Sequence, residues 1–429
     1  MIIEKKINNT KILLNKDKCL NIVCILFLIN IGSRNEKNGI TGISHFLEHL
    51  YFKGCDLYPN HNLLIESINK IGGSTNAFTS FEYTGYYIIV PKENYIDALK
   101  ILYSMMFESL IFNQLHKNYL QTEIKKEKKV VINENKKNRS NPMRFIQEMN
   151  IKNIFKKSNM KHGIGGLDKD INQFTLTKVK NYVSKYYTHD KFILSVYGNF
   201  NEKKVLKYFP LQKSIYKKNS KNNFSKIILN CGENKIYNQS FSSSFICLGF
   251  PIKRNKNNFY NDCIIDLLSK IIAGNMMSLL FIELREKHGL VYFVKSDYNI
   301  FNDFGVLQLY CGTYNDNESI NKTLEIIFTT LKNIKKNIKK ELIENIKKNN
   351  IGQNIINNND PSNFIVESTI DYMNYNKYYT INDKKKIYKK INENDLLKLS
   401  NKLFTKKNCT VSLISDKKIN INNYKKLLE

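Results

Sequence analysis

Two histidines and a glutamate lie close together near the start of the chain, at His45, Glu48 and His49. On a helix, residues three and four positions apart share a face, so these side chains would point the same way. Neutral imidazoles one turn apart can bind one zinc ion, and a carboxylate beside them can take a proton from a water molecule on the metal. The spacing therefore predicts a metal site with a general base.

A purely structural role is the alternative for these histidines. Phe46, Leu47, Leu50 and Phe52 give the predicted helix an apolar side, where a histidine usually serves packing alone. However, the chain has only 7 histidines in 429 residues, so the order His-x-x-Glu-His rarely arises by chance. This order is the inverted zinc-peptidase motif, and it favours the metal site.

A third protein ligand is needed, because a catalytic zinc keeps three protein ligands and one open position for water. The long charged helix predicted over residues 113–135 offers Glu123, Glu127 and Glu134. Glu127 and Glu134 are seven residues apart, which is about two helical turns, so they share a face. Spacing alone leaves the choice among the three glutamates open.

The composition indicates a globular protein of two domains. A chain of 429 residues exceeds the size at which one hydrophobic core stops growing, and 42% hydrophobic residues can fill two cores. The net charge of +29 raises the question of a nucleic-acid partner. Yet only five of the 67 basic residues are arginines, which is typical of an AT-rich genome, and the lysine runs lack interleaved aromatic residues. We therefore expect no nucleic-acid partner.

The cysteines and the apolar segments indicate the compartment. Eight cysteines are scattered without a Cys-x-x-Cys pair, which indicates reduced thiols in the cytoplasm, with an organelle matrix as the alternative. The apolar run over residues 19–31 is too short to cross a bilayer and leads directly into the histidine motif. It is predicted to be a buried strand, and we expect a soluble protein that does not contact a membrane.

The predicted elements form two similar halves. The first half reads strand, metal helix, helix and two paired strands, at residues 20–31, 43–54, 63–71, 74–78 and 83–90. After a polar linker at residues 211–226, the second half repeats the strand-helix-helix-strand order without the histidines, as expected for a diverged duplication. We predict an N-terminal catalytic domain over residues 1–210 and a C-terminal peptidase-like domain over residues 227–429.

Four stretches of the first half carry a family resemblance. Residues 32–34, 42–54, 73–80 and 127–134 read Gly-Ser-Arg, Gly-Ile-Ser-His-Phe-Leu-Glu-His-Leu-Tyr-Phe-Lys-Gly, Gly-Ser-Thr-Asn-Ala-Phe-Thr-Ser and Glu-Lys-Lys-Val-Val-Ile-Asn-Glu. In this order they resemble the pitrilysin family of zinc metallopeptidases, which includes the mitochondrial processing peptidase and single-chain bacterial relatives. The resemblance implies zinc-dependent endopeptidase action on unfolded polypeptides or short peptides, with one Zn²⁺ per chain.

The resemblance also implies a fold and residue roles. The fold is α+β, of the LuxS/processing-peptidase-like metallohydrolase type: two duplicated domains form a clamshell, each a mainly antiparallel sheet covered by helices. In the family a first glutamate precedes the ligand glutamate by seven residues, so Glu134 is implied as the third zinc ligand. Glu127 is implied as a carboxylate that orients His45 or His49. The strand edge around Asn76 and Ala77 is expected to accept substrate as an added strand.

The second half offers Arg285 and Tyr292, which match an arginine and a tyrosine seven residues apart in the family's second domain. In a chain where lysine holds nearly every basic position, an arginine suggests the need for a planar, bidentate donor, although an incidental surface arginine is the alternative. Tyr292 can donate a hydrogen bond to a developing oxyanion or a substrate carbonyl. We expect both residues to bind the substrate backbone.

A non-catalytic subunit of a processing-peptidase-like assembly is the competing function. Such a subunit would keep the fold but would not need His45, Glu48, His49 and Glu134, and the presence of all four argues against it. Family members of this length commonly pair. Because the metal motif and the Arg-Tyr pair lie on one chain, we expect a homodimer, with a heterodimer containing a related subunit as the alternative.

Overall fold

The computed structural model describes residues 2–210, 216–217, 227–239, 241–255 and 257–429. Their contacts form two compact units. The first contains residues 1–136, 162–226 and 358–373, and the second contains residues 137–161, 227–357 and 374–429. Each unit has one sheet and its own helices, which confirms the α+β prediction.

The first sheet has six strands in the order β1-β2-β6-β3-β5-β4. Only β2 and β6 are parallel, and the other neighbours are antiparallel. The strands are β1 (Ile2–Ile7), β2 (Thr10–Lys16), β3 (Ile22–Ile29), β4 (Ser74–Thr79), β5 (Thr84–Pro91) and β6 (Phe192–Gly198). The apolar run predicted as a buried strand is thus β3, at the centre of the sheet.

The second sheet has the strand order β7-β11-β8-β10-β9, with β7 and β11 parallel and all other neighbours antiparallel. Its strands are β7 (Asn234–Tyr237), β8 (Ser243–Lys253), β9 (Val291–Ile300), β10 (Phe304–Tyr314) and β11 (Thr410–Ile414). Without β1, the first sheet has the same order and the same strand directions. This agreement confirms the predicted duplication.

The helices cover both sheets. In chain order they are α1 (Ile43–Tyr51), α2 (His61–Lys70), α3 (Tyr95–Phe107), α4 (Lys117–Ser140), α5 (Pro142–Ile154), α6 (Asp168–Ile171), α7 (Leu176–Tyr186), α8 (Glu202–Tyr208), α9 (Phe259–Ala273), α10 (Leu279–Phe281), α11 (Asn317–Ile334), α12 (Lys340–Asn358), α13 (Pro361–Tyr375), α14 (Ile381–Lys390), α15 (Glu393–Leu403) and α16 (Ile421–Lys425). None of these helices, over the residues described, has the length and apolar character that a membrane crossing requires.

Strand β3 is apolar at almost every position because both faces of the first sheet are covered. Val23, Ile25 and Phe27 belong to the main core, together with residues of α1 and α3. On the other face Leu26 and Leu28 pack in a smaller cluster that includes residues of α13. This packing assigns residues 358–373 to the first unit, although the predicted boundary places them in the C-terminal domain.

Helix α5 lies in the first half of the sequence but belongs to the second unit. It packs on β8 and β11, where Ile146 is buried against Cys247. The side-chain amide of Asn150 donates hydrogen bonds to the carbonyls of Cys247 and Thr410, at 3.2 and 3.0 Å. Residues 137–161 therefore belong to the second unit, although the sequence places them before residue 210. The predicted linker stays a prediction, because residues 211–215 and 218–226 lie outside the described residues.

The loop before α1 is anchored by a buried ion pair between Arg34 and Glu82, whose side chains are 2% and 5% exposed. We expect Arg34→Met to lower the free energy of unfolding by about 3–5 kcal/mol, because it removes the cation of a buried ion pair. Urea unfolding measures this change. The exposed Arg144, replaced by Met, is the control and should shift the free energy by no more than about 0.5 kcal/mol. If both substitutions changed the free energy of unfolding equally, the Arg34–Glu82 ion pair would not have the stabilising role given to it here.

Candidate metal centre

Helix α1 begins at a glycine and an acidic cap. Gly42 has a φ of +86°, and a Cβ there would lie 2.6 Å from the carbonyl oxygen of Gly165, so glycine is required. The buried carboxylate of Glu36 accepts hydrogen bonds from the backbone N–H groups of Gly42 and Ser44, at 2.6 and 2.8 Å. Burial raises the pKa of Glu36 to about 8, and these two hydrogen bonds oppose the shift. These contacts fix the start of the helix at Ile43, two residues before His45.

One side of α1 is buried in the core through Ile43, Phe46, Leu47, Leu50 and Tyr51. The three polar residues of the motif lie on the less buried side. Helix α1 therefore has the predicted apolar side, and the polar residues of the motif lie together away from it.

His45, His49 and Glu134 are brought together, with their potential ligand atoms within 4.8 Å of one another. Glu134 Oε2 lies 3.6 Å from His45 Nε2 and 3.5 Å from His49 Nε2, and the two rings are nearly perpendicular at 89°. Two ligand atoms about 2.0–2.1 Å from one zinc ion in tetrahedral geometry stand roughly 3.3–3.4 Å apart. The donor atoms present therefore fit a zinc ion.

Glu127 fixes the orientation of His49. Its Oε2 lies 3.0 Å from His49 Nδ1, and its Oε1 is 2.5 Å from the ammonium group of Lys53. A carboxylate can only accept, so Nδ1 carries a proton, and the other ring nitrogen, Nε2, lies on the side of Glu134. Burial raises the pKa of Glu127, but the hydrogen bonds from His49 and Lys53 outweigh it and lower the pKa below its ordinary value. Of the two histidines that Glu127 was expected to orient, it contacts His49.

Glu134 and Glu127 differ in their access to water. The side chain of Glu134 is 42% exposed, whereas that of Glu127 is 7% exposed. Glu123, the third candidate from the sequence, pairs with Lys126 at 2.7 Å and Lys53 at 3.8 Å. Over the part of the chain that the structure describes, it does not join the cluster of ligand atoms.

The electrostatics of the histidines suit a cation. Burial, together with the proximity of His49, lowers the pKa of His45 to about 4, so its imidazole is neutral at neutral pH, as metal binding requires. Burial alone would also lower the pKa of His49. The hydrogen bond to Glu127 and the neighbouring carboxylates outweigh burial and raise it above its ordinary value. The carboxylates of Glu48, Glu127 and Glu134 thus place negative charge around His49, and this charge would also attract a metal cation.

Glu48 lies on the same helix as the two histidines and does not join the cluster of potential ligand atoms. Its Oε2 accepts a hydrogen bond from the hydroxyl of Thr79, the last residue of β4. Burial raises the pKa of Glu48, and the bond from Thr79 and the charge of His49 oppose this shift. A carboxylate with a raised pKa next to a metal site can serve as a general base.

Asn76 and Ala77 lie on β4, the last strand of the first sheet. They pair with Tyr87 and Tyr86 of β5 on one side, and Asn76 Oδ1 accepts a 2.9 Å hydrogen bond from the N–H of Ala77. The other side of β4 pairs with no strand among the described residues. An extended peptide can add to such an edge.

Arg285 and Tyr292 contact each other in the second unit. The Arg285 guanidinium donates a 2.8 Å hydrogen bond to the carbonyl of Tyr292 and lies 5.2 Å from the ring centres of Tyr292 and Phe281. Arg285 belongs to a π-helical turn, Ile282–Lys287. Such turns often occur at functional sites. Tyr292 is 81% exposed and can contact a ligand.

Three residues of this site were missed by the sequence analysis, namely Glu36, Lys53 and Thr79. Lys53 and Thr79 lie inside the stretches that carry the family resemblance, but neither has a residue type that suggests metal chemistry. The signal for Thr79 is its alternation with Thr75 and Ala77, which places it on the same face of β4. The signal for Glu36 is an acidic residue shortly before a helix.

The chain is similar to known proteins over most of its length. The sequence profile of the insulinase family, peptidase family M16, matches residues 11–166, and that of the peptidase M16 inactive domain matches residues 173–350. The chain is 32% identical to an uncharacterized zinc protease, YmxG, of Bacillus subtilis, over 76% of this chain and 77% of that protein. It is 28% identical to the mitochondrial-processing peptidase subunit beta of Dictyostelium discoideum, over 42% of this chain and 36% of that protein.

Solved structures share the fold. A protease from Helicobacter pylori superposes with a TM-score of 0.83 at 22% identity, covering 97% of this chain and 99% of the other. The peptidase M16 inactive domain from Pseudomonas fluorescens superposes with a TM-score of 0.83 at 14% identity, covering 98% and 99%. At these identities the superpositions establish the fold alone.

Proposed function

Because the chain belongs to the insulinase family of peptidases, family M16, we propose that it is a zinc-dependent endopeptidase that hydrolyses peptide bonds in unfolded polypeptides or short peptides. One observation carries the proposal: His45, His49 and Glu134 place three potential ligand atoms within 4.8 Å of one another. Glu48 lies on the same helix as the two histidines, which puts a carboxylate base beside them.

The residues of the first unit divide the chemical work. His45, His49 and Glu134 would hold one zinc ion, which when bound supplies a Lewis acid for the scissile carbonyl and lowers the pKa of water to about 7. Glu48 would take the proton from the attacking water and return it to the leaving amine nitrogen. Glu127 would keep the Nε2 atom of His49 directed at the ion through the hydrogen bond to Nδ1.

The open edge of β4 supports extended chains as the substrate class. A peptide added to this edge would pair with the backbone around Asn76 and Ala77 and lie along a strand whose last residue contacts Glu48. A folded protein offers few free strands for such pairing. We therefore propose unfolded polypeptides or short peptides as substrates.

Arg285 and Tyr292 are proposed as further substrate-binding residues. The guanidinium is fixed by the carbonyl of Tyr292 and by two aromatic rings, so it is preorganised to bind a substrate carbonyl. The exposed hydroxyl of Tyr292 can donate a second hydrogen bond. Both proposed roles rest on contacts within the second unit alone.

The assembly and the compartment are proposals of the same kind. The eight cysteines form no disulfide among the described residues, and six of them are buried, which supports a reducing compartment such as the cytoplasm. A homodimer is proposed because one chain carries the metal residues and the Arg-Tyr pair. Sedimentation of the purified chain measures its mass in solution directly.

The decisive experiment measures zinc content and peptide cleavage on the same preparation. We expect one zinc ion per chain and cleavage of a mixture of quenched fluorogenic peptides. Dialysis against a chelator should abolish cleavage, and adding back one equivalent of Zn²⁺ should restore it. Bound zinc without cleavage would favour the non-catalytic subunit, and a chain that binds no zinc would overturn the site itself.

A further inference from the structure

We propose that Thr79 is a positioning residue that holds the Glu48 carboxylate in the orientation needed for proton transfer. The inference rests on the proposed peptidase function and extends it to a residue outside the metal ligands and the base. It is carried by one contact between two elements, the end of β4 and the middle of α1.

The direction of the hydrogen bond gives Thr79 its role. The Thr79 hydroxyl lies within hydrogen-bond distance of Glu48 Oε2. An ionised carboxylate can only accept, so the hydroxyl donates and the bond holds Oε2 in place. The second carboxylate oxygen, Oε1, remains available to accept a proton from the attacking water. Thr79 therefore anchors one oxygen of the Glu48 carboxylate and leaves the other for proton transfer.

A purely structural role for the Thr79 hydroxyl does not account for its contact with Glu48. The backbone of Thr79 already pairs with Thr84 of β5, so strand pairing does not need the side chain. Thr75 lies on the same face of β4 and shows the ordinary alternative, because its hydroxyl donates a 2.8 Å hydrogen bond to the carbonyl of Tyr87. The hydroxyl of Thr79 instead contacts the one carboxylate on α1.

The position of Thr79 also connects the base to the substrate edge. Strand β4 carries both the open edge proposed for the substrate and, at its last residue, the donor to Glu48. A glutamate side chain has three rotatable bonds, and a reacting group displaced by about 1 Å can cost roughly 100-fold in rate. A donor on the same strand holds the base in register with the bound peptide.

Three variants test the inference on the zinc-loaded full chain. Thr79→Val keeps the shape but removes the donor, and we expect kcat to fall about 10–100-fold while KM changes by less than about 2-fold. Thr79→Ser keeps a hydroxyl and should retain at least about one third of the wild-type kcat. Thr122→Val is the control: Thr122 is exposed on α4, its hydroxyl bonds to the carbonyl of Asn118, and the variant should keep kcat within about 2-fold of the wild type.

Two further measurements separate positioning from stability. In a Glu48→Gln background, adding Thr79→Val should lower the residual rate by less than about 2-fold, because the base that it orients is already gone. Crystal structures of the zinc forms should show the Glu48 carboxylate displaced in Thr79→Val and unchanged in Thr79→Ser. All variants should retain one zinc ion per chain.

The outcomes distinguish this inference from the proposed function. A wild-type chain that binds zinc and cleaves no peptide would overturn the peptidase function, and the crystal structures would still test the contact. An active wild type with an equally active Thr79→Val variant would overturn the role of Thr79 alone. So would a Thr79→Ser variant as impaired as Thr79→Val, or a Glu48 side chain that keeps its position in both structures.

Discussion

Replacing Glu48 with glutamine is expected to lower kcat by about 10²–10⁴-fold while one zinc ion stays bound. Glutamine has nearly the same shape, and its side-chain oxygen can still accept the hydrogen bond from Thr79. What it cannot do is accept a proton from water at neutral pH. The three ligand residues are unchanged, so the loss isolates proton transfer from metal binding.

Zinc content by mass spectrometry and kcat with a fluorogenic peptide measure the two quantities separately. Glu66→Gln is the matched control, because Glu66 lies on the neighbouring helix α2, is 54% exposed and pairs with Lys70. Its kcat should stay within about 2-fold of the wild type. A Glu48→Gln variant that retains more than about one tenth of the wild-type kcat would place the base on another residue.

The elements around the metal helix were predictable because their signals are local. Strand β3 is a continuous apolar run, and α1 has a glycine start and an apolar face. Strands β1 and β2 were missed. Lysines interrupt their apolar residues, and the Asn8-Asn9 turn between them has positive φ values of 48° and 73°, a hairpin signal that the sequence analysis did not use.

Other features depend on packing between distant segments. Helices α5 and α13 each join the unit opposite to the one that chain order suggests, because their apolar faces cover sheets that are remote in sequence. Helical spacing places Glu127 and Glu134 on one face of α4. It does not reveal that α4 lies against α1 so that the first contacts Nδ1 of His49 and the second its Nε2.

Substitutions of the three glutamates of α4 are expected to weaken zinc binding to different degrees. Glu134→Gln should weaken zinc binding by more than about 100-fold, since it removes a charged ligand, whereas losing a group that only orients a ligand costs about 10–100-fold. Glu127→Gln belongs to the second class, because it weakens the contact to His49 and the pair with Lys53.

Glu123→Gln completes the series as the matched control on the same helix, because Glu123 contacts Lys126 and Lys53 and lies outside the cluster of ligand atoms. Its zinc affinity should change by less than about 3-fold. Competition with a fluorescent zinc chelator gives all three dissociation constants. If Glu127→Gln lost more affinity than Glu134→Gln, the ligand and the orienting carboxylate would have to be exchanged. The 42% exposure of Glu134 argues against that exchange, because a catalytic ion needs a side open to water and substrate.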